Sequence, residues 1–587
     1  MHRFSLEASA TVFAALFALV PIGALADASQ QPVVRYDDIV HPVYGPNGMV
    51  ASQNRIASEV GAEILADGGS AVDAAVAVGF ALAVTLPRAG NLGGGGFMLI
   101  HDAESDTETS IDYREMAPPG AHADMFLDAD GNVDNRLARF SYLSSGVPGT
   151  VAGLWAAHER YGRLEWARLL EPAIELAADG FPVSYDMAEI LALRQSRLCA
   201  NAAACGYFFK ADGSAYGPGE ILRQADLAAT LERIAKRGRD GFYRGKTARL
   251  IADDMRANGG LVDEQALADY EPVWREPLSG SYRGYEIVTM RPPSSGGVHI
   301  LQMLNVLEHF DVRGNGAGSA ANVHLLAEVM RLAYADRSKH LGDPDFYPVP
   351  IEWLTSKDYG EKLAATIDPE RARPSDDVLP GVAPVPESPD TTHYSIIDRD
   401  GNVVSNTYTL NLSYGSGVAI PGAGFLMNNE MDDFVAKPGV PNAFGMLGSE
   451  ANAIEVRKRP LSSMTPTFIF ADGEPWIATG SPGGSRIITT ILQLIVNVID
   501  HDMNVAEAAA APRMHHQWYP DKLQLETGFS PDTLRLLEAM GHEVAGTSFS
   551  MGSLQSVAIL NGVFRGASDP RRPNALSVGP EPEVPTE

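Results

Sequence analysis

The stretch Thr391-Thr392-His393-Tyr394-Ser395-Ile396-Ile397-Asp398-Arg399-Asp400-Gly401-Asn402 decides how the rest of the chain is read. From His393 to Ile397 the residues alternate in character, Asp400-Gly401 marks a tight turn, and Val403 to Leu410 returns as a second strand. Immediately upstream, Arg371 to Asp390 (RARPSDDVLPGVAPVPESPD) is rich in Pro, Asp and Ser and has no helical or strand period. A loose linker running straight into a strand headed by Thr is what a self-cleaving precursor needs. A cut before Thr391 puts a hydroxyl and a free α-amine on one residue. That amine, with an unperturbed pKa of roughly 8, can serve as base for its own hydroxyl.

Outward from this hairpin, a second one is expected at Pro466 to Phe470 and Trp476 to Thr479, turning at Asp472-Gly473. Ser481-Pro482-Gly483-Gly484-Ser485 then opens an apolar helix over about 486–500. Upstream, residues 52–67 have helical spacing and end at Gly68-Gly69, and Ser70 caps an Ala/Val-rich helix over about 71–84 that is apolar on nearly every side. Gly93 to Gly96 leads into a strand at Phe97 to His101, and a further strand, Thr109 to Tyr113, runs into Arg114. Residues 150–260 read as mainly helical, 278–290 as β, and 298–360 as helical again. Strands at the centre with helices on both sides predict a layered α/β sandwich rather than a parallel, doubly wound sheet.

At 587 residues with 45% hydrophobic and 20% charged side chains, the chain can bury a large core. A net charge of −29 argues against nucleic acid or an anionic membrane surface as partner. Residues 1–26 read as a signal peptide: Arg3, an apolar run from Ala10 to Ala26, then the small-x-small site Ala24-Leu25-Ala26. The expected product is periplasmic or secreted, starting near Asp27, with no membrane span. In an oxidising compartment Cys199 and Cys205, six positions apart, are expected to form a disulfide; with no His near them a metal site is excluded.

Thr391 as a nucleophile needs an oxyanion site and a grip on the substrate. Gly483-Gly484 at a helix start suits the first, since backbone N–H groups there approach a ligand closely and the helix dipole favours negative charge. Alone, such a pair is equally a plain turn. Arg114 can grip a carboxylate with two N–H donors, and Ser462-Ser463 can add two hydroxyls. In Asn428-Asn429-Glu430-Met431-Asp432-Asp433, Glu430 and Asp433 offer two carboxylates suited to an ammonium group. Taken together these describe an α-amino acid head group.

The segments TTHYSIIDRDGN, NTYTLNLSYGSG, NNEMDDF, KRPLSSMTPT and TGSPGGSR follow in that order, with NLGGGGFM, DYREMAP and RPPSSGG upstream. In them the chain, from about residue 35 to Arg571, resembles the γ-glutamyltranspeptidases of the N-terminal nucleophile hydrolase superfamily. The resemblance implies a four-layer αββα sandwich and self-cleavage between Asp390 and Thr391. The large subunit, 27–390, and the small subunit, 391–587, would stay together as one heterodimeric domain. It implies Thr391 as nucleophile, Thr409 as its hydrogen-bonded activator, and Gly483-Gly484 as the oxyanion hole. Arg114, Ser462 and Ser463 would hold the α-carboxylate of a γ-glutamyl group, and Asn411, Glu430 and Asp433 its α-amine. The implied substrates are glutathione and related γ-glutamyl compounds, with water, an amino acid or a dipeptide as acceptor, and no cofactor.

Some positions depart from the family. Glu430 stands where many bacterial members have Gln, and Asp390 where an amide residue is common. Phe444 takes the place of a frequent Tyr in the lid loop Pro438 to Ser449. The tail after Arg571 does not match and reads as disordered.

Three alternatives carry weaker signals. A glutaryl acylase or poly-γ-glutamate hydrolase of the same fold leaves either the two acids or the lid loop without a purpose. A non-catalytic exported amino-acid binder explains neither Thr391 nor the linker. A metal hydrolase built on His515-His516 lacks further ligands at suitable spacing. The glycines at 93–96 are not followed by the Lys of a phosphate-binding loop.

Overall fold

A computed structural model describes residues 34–378, 391–437, 440, 442–443, 446–547 and 550–581. The signal peptide, the linker end at 379–390 and Phe444 lie outside these residues. The expected central hairpin is present: strands Thr392–Asp398 and Val403–Thr409 pair antiparallel, with Gly401 at φ 93° in the turn. Every residue of both strands is buried, so this hairpin is covered on both faces.

It sits in the middle of a seven-stranded antiparallel sheet. The order is Leu576–Val578, Gly48–Ser52, Thr392–Asp398, Val403–Thr409, Gly95–Asp102, Thr107–Asp112, Val273–Arg275. A second antiparallel sheet runs Val43–Gly45, Val563–Ser568, Gln555–Leu560, Glu474–Thr479, Thr467–Ala471, Tyr285–Thr289, Leu278–Tyr282. Its Asp472-Gly473 turn has φ 53° and 85°, the left-handed values that a two-residue hairpin requires.

The two sheets stack face to face through Met49, Leu99, Ile397, Val403, Phe468, Phe470, Val557 and Phe564. Two hydroxyls bond across the gap: Ser395 Oγ donates to Gln555 O (3.0 Å) and Ser405 Oγ to Thr479 O (3.0 Å). Helices cover the outer faces. On the first sheet lie Arg55–Ala66 and Ala71–Thr85, the latter wholly buried and started by a Ser70/Asp73 capping box. Tyr394 and Tyr408 donate from this sheet to Ala75 O and Gly79 O of that helix. On the second sheet the apolar layer is built by Gly296–Leu307, Ala320–His340 and Arg486–Ile499. Helix, sheet, sheet, helix is the four-layer sandwich expected from the sequence.

The structure corrects one expectation outright. Residues 572–581 are ordered into the fold: Leu576–Val578 is the edge strand of the first sheet, pairing with Gly48–Ser52. Ser58 Oγ donates to Leu576 O (2.8 Å) and Arg55 N to Asn574 O (2.7 Å). A three-residue strand amid Pro and Gly has too short a period to be read locally; its neighbours create it. Gly48–Ser52, which bridges this edge to Thr392–Asp398, is likewise not evident in the sequence. Cys199, which caps the end of the helix Tyr185–Leu198, forms a disulfide with Cys205, inside the short helix Ala202–Phe208. Among the described residues, no helix is long and apolar enough to cross a membrane.

Candidate active site

Thr391 precedes the first hydrogen-bonded residue of its strand and is 6% exposed. The partner strand ends at Thr409, which brings the two hydroxyls to 3.4 Å. Thr409 Oγ1 also accepts from Asn411 N (2.9 Å), fixing the turn in which Asn411 adopts φ 74°. Both threonines open onto a small cavity lined also by Arg114, Asn411, Glu430, Asp433, Met446, Ser462, Ser463, Met464, Gly484 and Ile487. The sequence-predicted residues are thus brought to one place, apart from Phe444, which lies outside the described residues, and Gly483, which sits beside Gly484 but does not line the cavity. Gly483 and Gly484 have φ 138° and 56°, conformations that side chains disfavour, and they lead directly into the helix Arg486–Ile499.

The head-group residues are arranged differently from a simple division between anion and cation sites. The buried guanidinium of Arg114 bonds both acids, Nη1 to Glu430 and Nη2 to Asp433 Oδ2 (2.5 Å). Its Nε donates to Pro460 O (3.3 Å), tying it to the loop that carries Ser462 and Ser463. Burial alone would depress Arg114, but the three carboxylates around it outweigh that and keep it charged. Burial pushes the Glu430 and Asp433 carboxyls above their usual range, and Arg114 offsets this only in part. Two acceptors remain unmatched: Glu430 Oε2 and Asn411 Oδ1 are buried without a hydrogen-bond partner, while Asn411 Nδ2 is spent on Asn429 O (3.0 Å). Buried acceptors without donors are rare, and here they line a cavity.

Two charged residues at this site were missed by the sequence analysis. Glu115 is fully buried, with neither oxygen hydrogen-bonded and Oε2 3.6 Å from Arg114 Nη1; burial pushes its carboxyl up to about 8. Arg337, on the helix Ala320–His340, donates from Nε to Ser295 Oγ (2.9 Å) and from Nη2 to Ser463 Oγ (3.3 Å). Burial lowers it to about 10, which still leaves it charged at neutral pH. Ser295 belongs to the RPPSSGG loop, which docks on the KRPLSSM loop: Ser462 N donates to Pro293 O and Ser295 N to Ser462 O, both at 2.8 Å. Glu115 stands beside Arg114 in DYREMAP but was given no role there, and Arg337 stands in no local pattern that marks it.

The lid loop, where described, reaches the site. Asn442 Nδ2 donates to Asp433 Oδ1 (3.3 Å), Ala443 N to Asp432 Oδ2 (3.0 Å), and Met446 lines the cavity. His515 and His516 take separate partners, Thr489 Oγ1 (2.8 Å) and Asp521 Oδ1 (3.2 Å), and do not converge.

A two-sheet sandwich of this layering, with a threonine at the head of a central strand, is the architecture of the N-terminal nucleophile hydrolases. Within them the chain belongs to the γ-glutamyltranspeptidase family, whose sequence profile matches residues 57–579. It is 52% identical over 558 residues to the glutathione hydrolase proenzyme of Escherichia coli K12, covering 94% of this chain and 96% of that protein. Among solved structures it is similar to a cephalosporin acylase from Bacillus halodurans, with TM-score 0.83 and 28% identity over 94% of this chain and 100% of that one. It is also similar to the γ-glutamyltranspeptidase of Helicobacter pylori, with TM-score 0.55 and 44% identity over 60% of this chain and 97% of that one.

Proposed function

We propose that the chain is a γ-glutamyltransferase and glutathione hydrolase that matures by cutting itself between Asp390 and Thr391. The observation that carries the reading is the pair of unpartnered buried acceptors, Asn411 Oδ1 and Glu430 Oε2, beside Arg114 and within one cavity with the Thr391–Thr409 hydroxyl pair. An α-ammonium supplies the missing donors. The α-carboxylate of the same head group takes Arg114 and the hydroxyls of Ser462 and Ser463, and the γ-carbonyl then faces Thr391.

After maturation, the Thr391 amine accepts the proton of its own hydroxyl as Oγ1 adds to the γ-carbonyl. Backbone N–H groups at Gly483-Gly484 take the charge that develops on the carbonyl oxygen. Collapse breaks the C–N bond, the leaving amine takes the proton, and a γ-glutamyl ester remains on Thr391. Water, or the amine of an amino acid or dipeptide, then adds to the ester and releases the Thr391 hydroxyl. Thr409 positions that hydroxyl through its own. The chemistry calls for no cofactor.

The maturation reading divides the chain into a large subunit, 27–390, and a small one, 391–587, held as a heterodimer. In support, the solved H. pylori chain is matched over 97% of its own length yet spans only 60% of this one, the proportion expected of a large subunit. The signal-like N-terminus places the product in the periplasm or outside the cell. A related acylase is the competing activity, but a glutaryl group brings no ammonium to Asn411 and Glu430.

The test is the intact mass of the mature protein beside Thr391→Ala, with hydrolysis of a γ-glutamyl anilide assayed on both. Two fragments meeting between Asp390 and Thr391, absent in the variant and accompanied by γ-glutamyl release only in the wild type, are the expected result. A single uncut, inactive chain in both would overturn the reading.

A further inference from the structure

We propose that His324, Glu328 and His542 form a structural site for one divalent cation of the zinc class, joining residues on the two sides of Thr391. His324 and Glu328 are four apart on the helix Ala320–His340 and so share a face. His542 comes from the turn after the helix Pro531–Ala539. All three are buried, and one ligand atom from each lies within 4.8 Å of the others. None lines the cavity at Thr391, so the site is separate from the chemistry described above.

The hydrogen-bond pattern fixes which lone pairs meet. His324 Nε2 lies 2.8 Å from Asp368 O. A carbonyl only accepts, so in the neutral ring the hydrogen is on Nε2 and the lone pair on Nδ1. An imidazole held from behind by a carbonyl in this way is the usual setting of a metal-bound histidine. Its Nδ1 faces His542 Nε2 at 2.8 Å. Without a cation the two nitrogens share one hydrogen, supplied by His542 Nε2. A divalent ion takes the place of that hydrogen, which moves to Nδ1 of the neutral His542 ring, so both imidazoles ligate without losing a proton. With Zn–N bonds of about 2.0–2.1 Å, tetrahedral ligand atoms stand about 3.3 Å apart, so the rings need to part by about half an ångström.

Glu328 is loosely held and free to turn toward the ion. Its Oε1 accepts from Arg331 Nε and Nη2, both at 3.3 Å, and its Oε2 from Arg373 N at 3.4 Å, all at the long end of hydrogen bonding. Arg331 keeps other partners when Glu328 leaves: Nη1 bonds Asp521 and donates to Ser375 Oγ (2.6 Å). Two imidazoles and one carboxylate give the donor set that zinc accepts, with a fourth position for water.

The experiment uses the full-length protein stripped with EDTA and dialysed against zinc chloride, with bound zinc counted and Tm followed. One zinc per chain is expected, with a Tm that rises with zinc. His324→Gln with His542→Gln can preserve a side-chain hydrogen bond while removing both nitrogen ligands, and Glu328→Gln removes the third. Both variants should keep their fold and lose the zinc and the Tm rise together. No zinc retained by the wild type, or equal retention in the folded variants, would overturn the site.

Discussion

Glu115 and Arg337 show how much of a site depends on burial and on distant partners, even where, as for Glu115, the residue lies in a motif. With its proton retained to about pH 8, Glu115 is neutral near pH 7 and leaves Arg114 to face two acids rather than three. The sign follows: as pH rises through about 8, a new charge appears 3.6 Å from Arg114 Nη1 and competes with an incoming carboxylate. KM for hydrolysis of a γ-glutamyl anilide should therefore climb above pH 8 in the wild type, and Glu115→Gln should flatten that limb while changing little at pH 6–7. Stability moves the same way: between an unfolded pKa of about 4.3 and the folded value, only the native state holds the proton, so this group's contribution falls as pH rises. Arg337 donates to Ser463 Oγ, whose own hydrogen goes to Met446 Sδ (3.8 Å), a weak acceptor that a substrate carboxylate would replace. Hydrogen bonds to charged groups contribute about 1.5–3 kcal/mol, so Arg337→Gln should raise KM roughly ten- to a hundredfold, with a smaller fall in kcat. Thr391, Arg114 and the acids at 430 and 433 were legible because each stands in a motif of matching chemistry. Arg337 reaches Ser463 across 126 positions from a helix whose sequence reads as ordinary core, and only burial gives Glu115 its altered proton.

At the scale of elements, the nucleophile strand is held by a histidine wedge. His393, two residues from Thr391, bonds Thr407 Oγ1 (2.8 Å) and Ser395 Oγ (2.9 Å), and burial lowers it to about 3, so the ring is neutral. Gly480, just past the strand Glu474–Thr479, lies flat against this ring: a Cβ there would stand 2.3 Å from His393 Cε1. Gly480→Ala must displace the ring or the strand, at a cost of about 1–3 kcal/mol for an overpacked core. The expected outcome is a lower Tm and slower appearance of the two fragments by gel, with the wild-type substrate KM retained in whatever matures. The hairpins and the helices near 55, 71 and 486 could be read from the chain because period, caps and turn residues agree there. The strands Gly48–Ser52 and Leu576–Val578 could not, because Leu576–Val578 is a strand only by pairing with Gly48–Ser52, and Gly48–Ser52 only by lying between it and Thr392–Asp398.

Across the whole molecule, both sheets are built of strands from before and after Thr391, paired with one another at several places. Gly48–Ser52 lies between Leu576–Val578 and Thr392–Asp398; Val403–Thr409 pairs with Gly95–Asp102; Thr467–Ala471 pairs with Tyr285–Thr289; Val43–Gly45 pairs with Val563–Ser568. Among the described residues, the two pieces of the proposed cut share both sheets, so they cannot part without breaking strand pairing. Differently tagged preparations, mixed and held at nanomolar concentration, should exchange no subunits until denaturant is added, and heating should give one transition rather than two. The two large hydrophobic cores each draw side chains from before and after Thr391. With the proposed cut made, coming apart and melting are a single event, and the nick leaves the molecule as indivisible as the chain it came from.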